Sequence, residues 1–280
     1  MIKNIAYFPL QCALNSGPVM SAVLDCLRTN GIQPQENSMS SDATIIWSVL
    51  WNGRMQANQS VYQHYRQQNK PVIIVEIGAL HRGLTWKISV NNVTAQGYYG
   101  HLDQLDWDRP KKLNIELKMS KPRRNEIVIA LQHTKSLQVE SILDMTQWLA
   151  TTAQLIKNNT DRTVIVRPHP RCKIVIPPGI KIETPRPLPG TYDSFDMHYD
   201  CHAVVNYNSG PGIQAAIAGV RPVVDVSSLA YPVSTGFADI EQPYVVDREL
   251  WLRQICHTEY TVEELRQGLW LKRIQSELQA

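Results

Sequence analysis

Apolar runs alternate with amphipathic segments along most of this chain. Ile2–Leu10 reads as a short strand, and Pro18 to Arg28 carries apolar residues at helical spacing until Asn30-Gly31 stops it. Ala43–Leu50 is a second strand, Gln59 to Asn69 a helix and Pro71–Ile77 a third strand. Continuous apolar strands alternating with helices predict a parallel sheet covered on both faces. After a polar, basic stretch at Lys111–Asn125 the pattern restarts. Glu126–Leu131 is a strand, Leu137 to Asn158 a long helix and Thr163–Val166 a strand. The Pro-rich stretch Ile176 to Gly190 holds a short strand at Lys181–Glu183, and Ser194 to Tyr199 reads as a helical turn. Ala203–Tyr207 is a strand, Ile213 to Ala218 a helix ended by Gly219, and another strand begins at Pro222. Thr261-Val262-Glu263-Glu264 is a capping box, and Leu265, Leu269, Ile274 and Leu278 form one apolar face beyond it.

The fold class is therefore α/β with two lobes. Residues 1–122 form the first domain, 123–262 the second and 263–280 a closing helix. A short repeat supports the plan. Asn15-Ser16-Gly17-Pro18 follows the first strand and opens a helix, and Asn208-Ser209-Gly210-Pro211 does so again in the second half. Ser suits a helix cap and Pro the first turn.

At 280 residues the chain can bury ample core. No run reaches the roughly 18 apolar residues that would span a bilayer, and the N-terminal run is too short for a signal peptide. The expected location is the cytoplasm. Five cysteines without CxxC spacing are expected to be reduced thiols rather than zinc ligands. Charge is uneven: residues 1–125 carry 14 Lys and Arg against 8 Asp and Glu, whereas residues 126–280 carry 14 against 17. The basic first half favours an anionic partner such as nucleic acid.

Two loops of the second half carry the strongest chemistry. Arg167-Pro168-His169-Pro170-Arg171 directly follows a strand, so that Arg167 and Arg171 can grip phosphate oxygens and His169 can donate to one. Ser209, Gly210 and Gly212 open a helix whose backbone N–H groups and dipole suit the same phosphates. Gln214, one turn further, can reach ribose hydroxyls. Two anion-shaped loops at strand ends predict a diphosphate site. No GxGxxG or GxxxxGK[ST] is present, which excludes a dinucleotide fingerprint and a P-loop.

In the first half, Glu76 ends a strand before Gly78, where a carboxylate can serve as general base toward an acceptor hydroxyl. The competing reading pairs it with Arg82 or Lys87. Asp42 and His81 are weaker candidates. Arg54, Arg82 and Lys87 are interleaved with Trp47, Trp51 and Trp86, a mixture that suits a base stacked beside a phosphate backbone. His198-x-Asp200-x-His202 with Cys201 has the residue types of a metal site. It lacks a fourth ligand at familiar spacing, and no metal is expected.

The RPHPR loop, the run NSGPGIQAAIAGVRPVV and a Trp-containing C-terminal helix resemble a small two-domain glycosyltransferase of the GT-B type. IIWSVLWNGRM, VYQHYRQQNKPVIIVEIGALHRGLTWK and TEYTVEELRQG are similar to the bacteriophage-encoded group, and the likeness to capsule-polysaccharide transferases is more distant. The resemblance implies two Rossmann-like domains facing across a cleft, with the C-terminal helix returning to the first. It implies a nucleotide-sugar donor, such as a UDP-sugar, in the second domain, an acceptor in the first, and no obligatory metal or other cofactor. Gln132, His133 and Lys135, after the first strand of the second half, become candidates for the donor sugar or diphosphate. Family members usually carry Glu where this chain has Gln214. The implied acceptor is a hydroxyl, with a 5-hydroxymethylpyrimidine in phage DNA preferred. A polysaccharide or small-molecule acceptor is the alternative, and a non-catalytic nucleotide-sugar-binding module is the third reading. A phage-encoded enzyme would act in the host cytoplasm.

Overall fold

The computed structural model describes residues 2–120, 124–142, 144–189 and 195–278. The chain divides into two compact units. One comprises Met1–Trp107, Lys135–Leu137 and Gln254–Ala280, the other Asp108–Thr134 and Gln138–Arg253.

The first unit is built on β1 (Asn4–Tyr7), α1 (Gly17–Thr29), β2 (Gln33–Glu36), β3 (Ala43–Trp47), α2 (Asn58–Gln67), β4 (Val72–Ile77) and β5 (Trp86–Val90). Its six-stranded sheet runs β11-β5-β4-β3-β1-β2, with β11 (Glu259–Tyr260) contributed from near the C-terminus. The strands β1 to β4 are parallel, but β5 returns antiparallel to β4 and β11 is antiparallel to β5. The sheet is thus mixed, not purely parallel as the apolar runs predict. The strands are apolar on both sides because both faces are covered. Ile5, Ile45 and Ile73 point to α1 and the C-terminal helices. Ala6, Ile46 and Ile74 pack on the other face with Val61 and Tyr65 of α2. Gln33-Pro34-Gln35-Glu36 forms a strand despite its polarity and its proline because it lies at the sheet edge, where a missing N–H is tolerated.

The second unit contains α3 (Arg109–Lys112), β6 (Ile127–Ala130), α4 (Met145–Asn159), β7 (Val164–Arg167), β8 (Lys181–Ile182), β9 (Ala203–Asn206), α5 (Gly210–Ile217) and β10 (Arg221–Val224). Its five strands are all parallel, in the order β10-β9-β6-β7-β8. Ile127, Ile129, Val166 and Val205 face Leu149 and Ile156 of α4, whereas Val128, Ile165 and Val204 face Ala215 of α5. The helix expected from Leu137 begins only at Met145. Asp144 caps it by accepting from Thr146 N at 2.8 Å, and Leu137–Val139 is a separate 3-10 turn. Of the turn expected over Ser194–Tyr199, Ser194 lies outside the described residues and 195–199 hold no helix.

The chain then forms α6 (Glu249–Cys256), β11, α7 (Val262–Gln267) and α8 (Leu269–Ile274). The capping box at Thr261–Glu264 is present. The closing helix is two helices, because Gly268 at φ 77° breaks it. Its apolar residues Leu265, Trp270 and Ile274 join the core of the first unit. No helix among the described residues is long and apolar enough to cross a membrane.

Candidate functional site

Parallel order brings three loops of the second unit side by side. β9, β6 and β7 are neighbours, so the loops after Asn206, Ala130 and Arg167 leave one edge of the sheet together. Side chains tie them. The Gln132 amide donates to Asn208 Oδ1 at 2.9 Å, and Gln132 Oε1 accepts from Asn208 N at 3.2 Å. Asn208 Nδ2 donates onward to Gln138 O and Ser227 Oγ. His133 and His169 meet ring edge to ring face at 5.3 Å between centroids, which joins the β6 and β7 loops. Asn206 Oδ1 accepts from Ser209 N at 2.9 Å and orients the start of α5.

The sequence-predicted donor residues separate into two kinds here. Gln132 and His133 are buried braces of the loops. Arg167 is only 4% exposed, and its guanidinium is consumed internally. It donates to His198 O and Asp196 O, stands 3.3 Å from Glu183 Oε1 and lies over the Tyr199 ring. The grip on phosphate expected of Arg167 is therefore replaced by a fold-holding role. The same burial pushes the Tyr199 hydroxyl pKa up, with Arg167 opposing, and raises that of Cys201 to about 12. Arg171 is exposed and His169 half-buried, and the Arg171 N–H donates to His169 Nδ1 at 3.2 Å. Gln214 and Ser209 are half-buried on α5 and its cap. Ser209 makes no side-chain capping bond, and neither does Ser16 in the matching turn of the first unit. Packing by itself disfavours a side chain at Gly212. A Cβ there would stand 2.8 Å from Val224 Cγ1 and 3.4 Å from Ala230 Cβ. Lys135 is exposed, packs with the first unit, and its carbonyl accepts from Trp51 N.

In the first unit Glu76 is half-buried at the end of β4. Its Oε2 accepts from Ser48 Oγ at 2.7 Å and Val49 N at 3.2 Å, and Oε1 from Ile77 N at 3.0 Å. Ser48 adopts φ 66° to present its hydroxyl there. Lys87 does not reach a surface ligand, being 7% exposed. Burial lowers its pKa, with the negative charges of Glu259 and Glu76 opposing. Trp47 and Trp51 are buried, Trp51 against Tyr62, and Trp86 packs on the core, so the tryptophans fill the interior instead of forming a stacking platform. Arg54 is exposed and Arg82 half-buried. Asp42 lies at the other end of β3, where it accepts from Lys3 N and Asn4 N.

Sequence reasoning missed Glu259. It is fully buried and accepts from Ala79 N at 2.6 Å, Leu80 N at 3.0 Å and Thr85 Oγ1 at 2.7 Å. No local signal marks it, because the partners lie about 180 residues earlier. Asp200 pairs with Arg124 and the His202 ring bonds Ile240 O. Among the described residues no group of three His, Cys, Asp or Glu is placed to hold a metal.

Among solved structures, the chain is similar to the Thermosulfurimonas dismutans KpsC beta Kdo 2,4 transferase, with TM-score 0.51 at 11% identity over 96% of this chain and 98% of that one. It is also similar to the KpsC beta Kdo 2,7 transferase of the same organism, with TM-score 0.49 at 12% identity over 95% and 98%. A third match is the Methanocaldococcus jannaschii UDP-GlcNAc 2-epimerase in complex with UDP-GlcNAc and UDP, with TM-score 0.29 at 9% identity over 98% and 99%. No family model and no curated protein matches the chain. Two parallel-rich α/β units and the first of these likenesses define a GT-B fold.

Proposed function

We propose that this protein is a glycosyltransferase that moves a sugar from a nucleoside diphosphate sugar to a hydroxyl acceptor. The observation that carries this reading is the braced triple-loop edge of the second unit, where Gln132–Asn208 and His133–His169 align three loops beside the start of α5. Open α/β sheets bind ligands outside the carboxyl ends of their strands, and a helix N-terminus suits a phosphate. Kdo transfer by the protein sharing the fold at TM-score 0.51 agrees by fold analogy.

In this reading the second unit takes the donor, a UDP-sugar. The backbone of Ser209–Gly212, His169 and Arg171 face the diphosphate, and Gln214 the ribose. Glu76 of the first unit accepts the acceptor's hydroxyl proton as its oxygen bonds to the anomeric carbon. The bond from that carbon to the diphosphate breaks, and its electron pair leaves with the nucleoside diphosphate. Fixed positive groups that meet this developing charge lower the barrier. The acceptor is a glycan or small molecule. A hydroxymethylated base in DNA has less support, because Lys87 and Trp51 are buried and Trp86 packs on the core.

Calorimetric titration with UDP tests the donor site. Arg171→Ala and His169→Ala are each expected to weaken binding, by about 1.5–3 kcal/mol for a lost charge-assisted bond. UDP affinity unchanged in the folded double variant would remove this loop as the diphosphate site. A panel of UDP-sugars with neutral glycans, plain DNA and hydroxymethylated DNA then identifies the acceptor. Transfer to hydroxymethylated DNA alone would reverse our choice of acceptor.

A further inference from the structure

Across three neighbouring strands of the first sheet, the register sets one row of charge. Lys87 on β5 is the cross-strand partner of Glu76 on β4 and of Glu259 on β11. Directly opposed residues share a sheet face, with Cβ atoms about 4.5–5.5 Å apart. Lys87 is thus flanked by a carboxylate-bearing residue on each neighbouring strand. Buried charges are costly unless paired and hydrogen-bonded. Both carboxylates are also hydrogen-bonded, Glu259 by Ala79 N, Leu80 N and Thr85 Oγ1, and Glu76 by Ser48 Oγ, Val49 N and Ile77 N. The charge of Glu259 also acts on Tyr99, whose hydroxyl donates to Thr94 O.

We propose that Lys87 and Glu259 are positioning residues for Glu76, and that their row across β4, β5 and β11 fixes the direction of its carboxylate. The proposal rests on the reading of Glu76 as the base. Glu76 is half-buried at a strand end, where an unrestrained side chain would sample several rotamers. Its backbone and Ser48 donors act from one side, and Lys87 opposes it from the next strand. Glu259 supplies the second negative charge beside Lys87, and it also clamps the loop that follows Glu76 through two successive N–H groups. A segment about 180 residues downstream is thereby part of the machinery behind the base.

Amide NMR of the full chain separates this role from a purely structural one. Lys87→Met and Glu259→Gln are each expected to displace the Val49 and Ile77 amide resonances, because those donors follow the Glu76 carboxylate. UDP release from UDP-glucose should slow about tenfold or more while UDP affinity is unchanged. Adding Glu259→Gln to Glu76→Gln should cost nothing further, since groups acting as one unit are non-additive. If only the Ala79 and Leu80 amides move, Glu259 anchors the loop and the proposal is overturned. If Glu259→Gln does not fold, Thr85→Val removes one donor to Glu259, and a smaller displacement of the same two resonances is expected; none overturns the proposal. Wild-type turnover by Glu76→Gln, with Val49 and Ile77 still displaced in Lys87→Met, would instead show that the base reading failed and would overturn the proposal through that premise.

Discussion

Asn-Ser-Gly-Pro opens a helix in each unit, and the two openings share little beyond those residues. At α1, Asn15 is exposed, Gly17 has open space where a Cβ would stand, and the next residue is the buried Val19. At α5, Asn208 is buried and bonded to Gln132, Gln138 and Ser227, and the next residue is Gly212, pressed against Val224 and Ala230. The tetrapeptide specifies a helix start in both places. The braced edge arises only where Gln132, 76 residues earlier, returns an amide to Asn208. The first opening feeds a core, and the second holds a surface in one shape.

The sharpest way to break this comparison is at the two arginines of the β7 loop. Arg167→Ala should destabilise the protein by about 2–3 kcal/mol, since it removes a buried guanidinium that donates to the Asp196 and His198 carbonyls and packs over the Tyr199 ring. Arg171→Ala should leave stability within about 0.5 kcal/mol and lower UDP affinity. Denaturant unfolding beside calorimetry distinguishes them, and exchanged effects would show that bracing and ligand contact have been assigned to the wrong residues. Asn208→Ala comes next, at about 1–3 kcal/mol for its unsatisfied buried partners, against about 0.5 kcal/mol or less for Asn15→Ala. Equal losses would erase the difference between the two turns.

Glycine sharpens the contrast further. Gly212→Ala should cost about 1–2 kcal/mol because Val224 must give way. Gly17→Ala should raise the melting temperature, since it adds a methyl in open space and gains about 0.4–1 kcal/mol from the unfolded chain.

The smallest effect is one of pH. Two hydrogen bonds from Arg162, with Thr160 adding another, hold the Glu241 carboxyl near a pKa of about 2 instead of 4.5. Its depressed pKa stabilises the folded second unit fully above pH 4.5, and this contribution is lost as pH falls toward 2. The pair is partly exposed, so Glu241→Gln should cost about 1 kcal/mol or less at neutral pH. Acid titration of stability should be flatter in the variant across that window.

Much of the fold was legible along the chain. Ala43–Trp47, Val72–Ile77 and Ala203–Asn206 are strands whose largely apolar runs announce cover on both faces. Other elements were not legible. β2 is polar, β5 mixes a lysine and a serine with its apolar residues, and β11 is two residues that form a strand only because they find an edge of β5. In the candidate site, the Gly-rich turn and the exposed Arg171 were visible as residue types at strand ends. The inward turn of Arg167 was not, because its acceptors lie in residues 183–198 and have no regular spacing from it.

The amino-acid sequence by itself determined two α/β units, the strand-turn-helix at Asn206–Ile217 and the capping box at Thr261, since periodicity, small residues and caps act over one or two turns of chain. Tertiary structure decided which polar groups face inward. Glu259 reaches the Gly78–Leu80 loop, Lys87 falls between two carboxylates, and Gln132 closes on Asn208. The physical reason is that a charged or amide side chain has no preferred place until burial removes water, and its partner is then whichever group the register sets beside it.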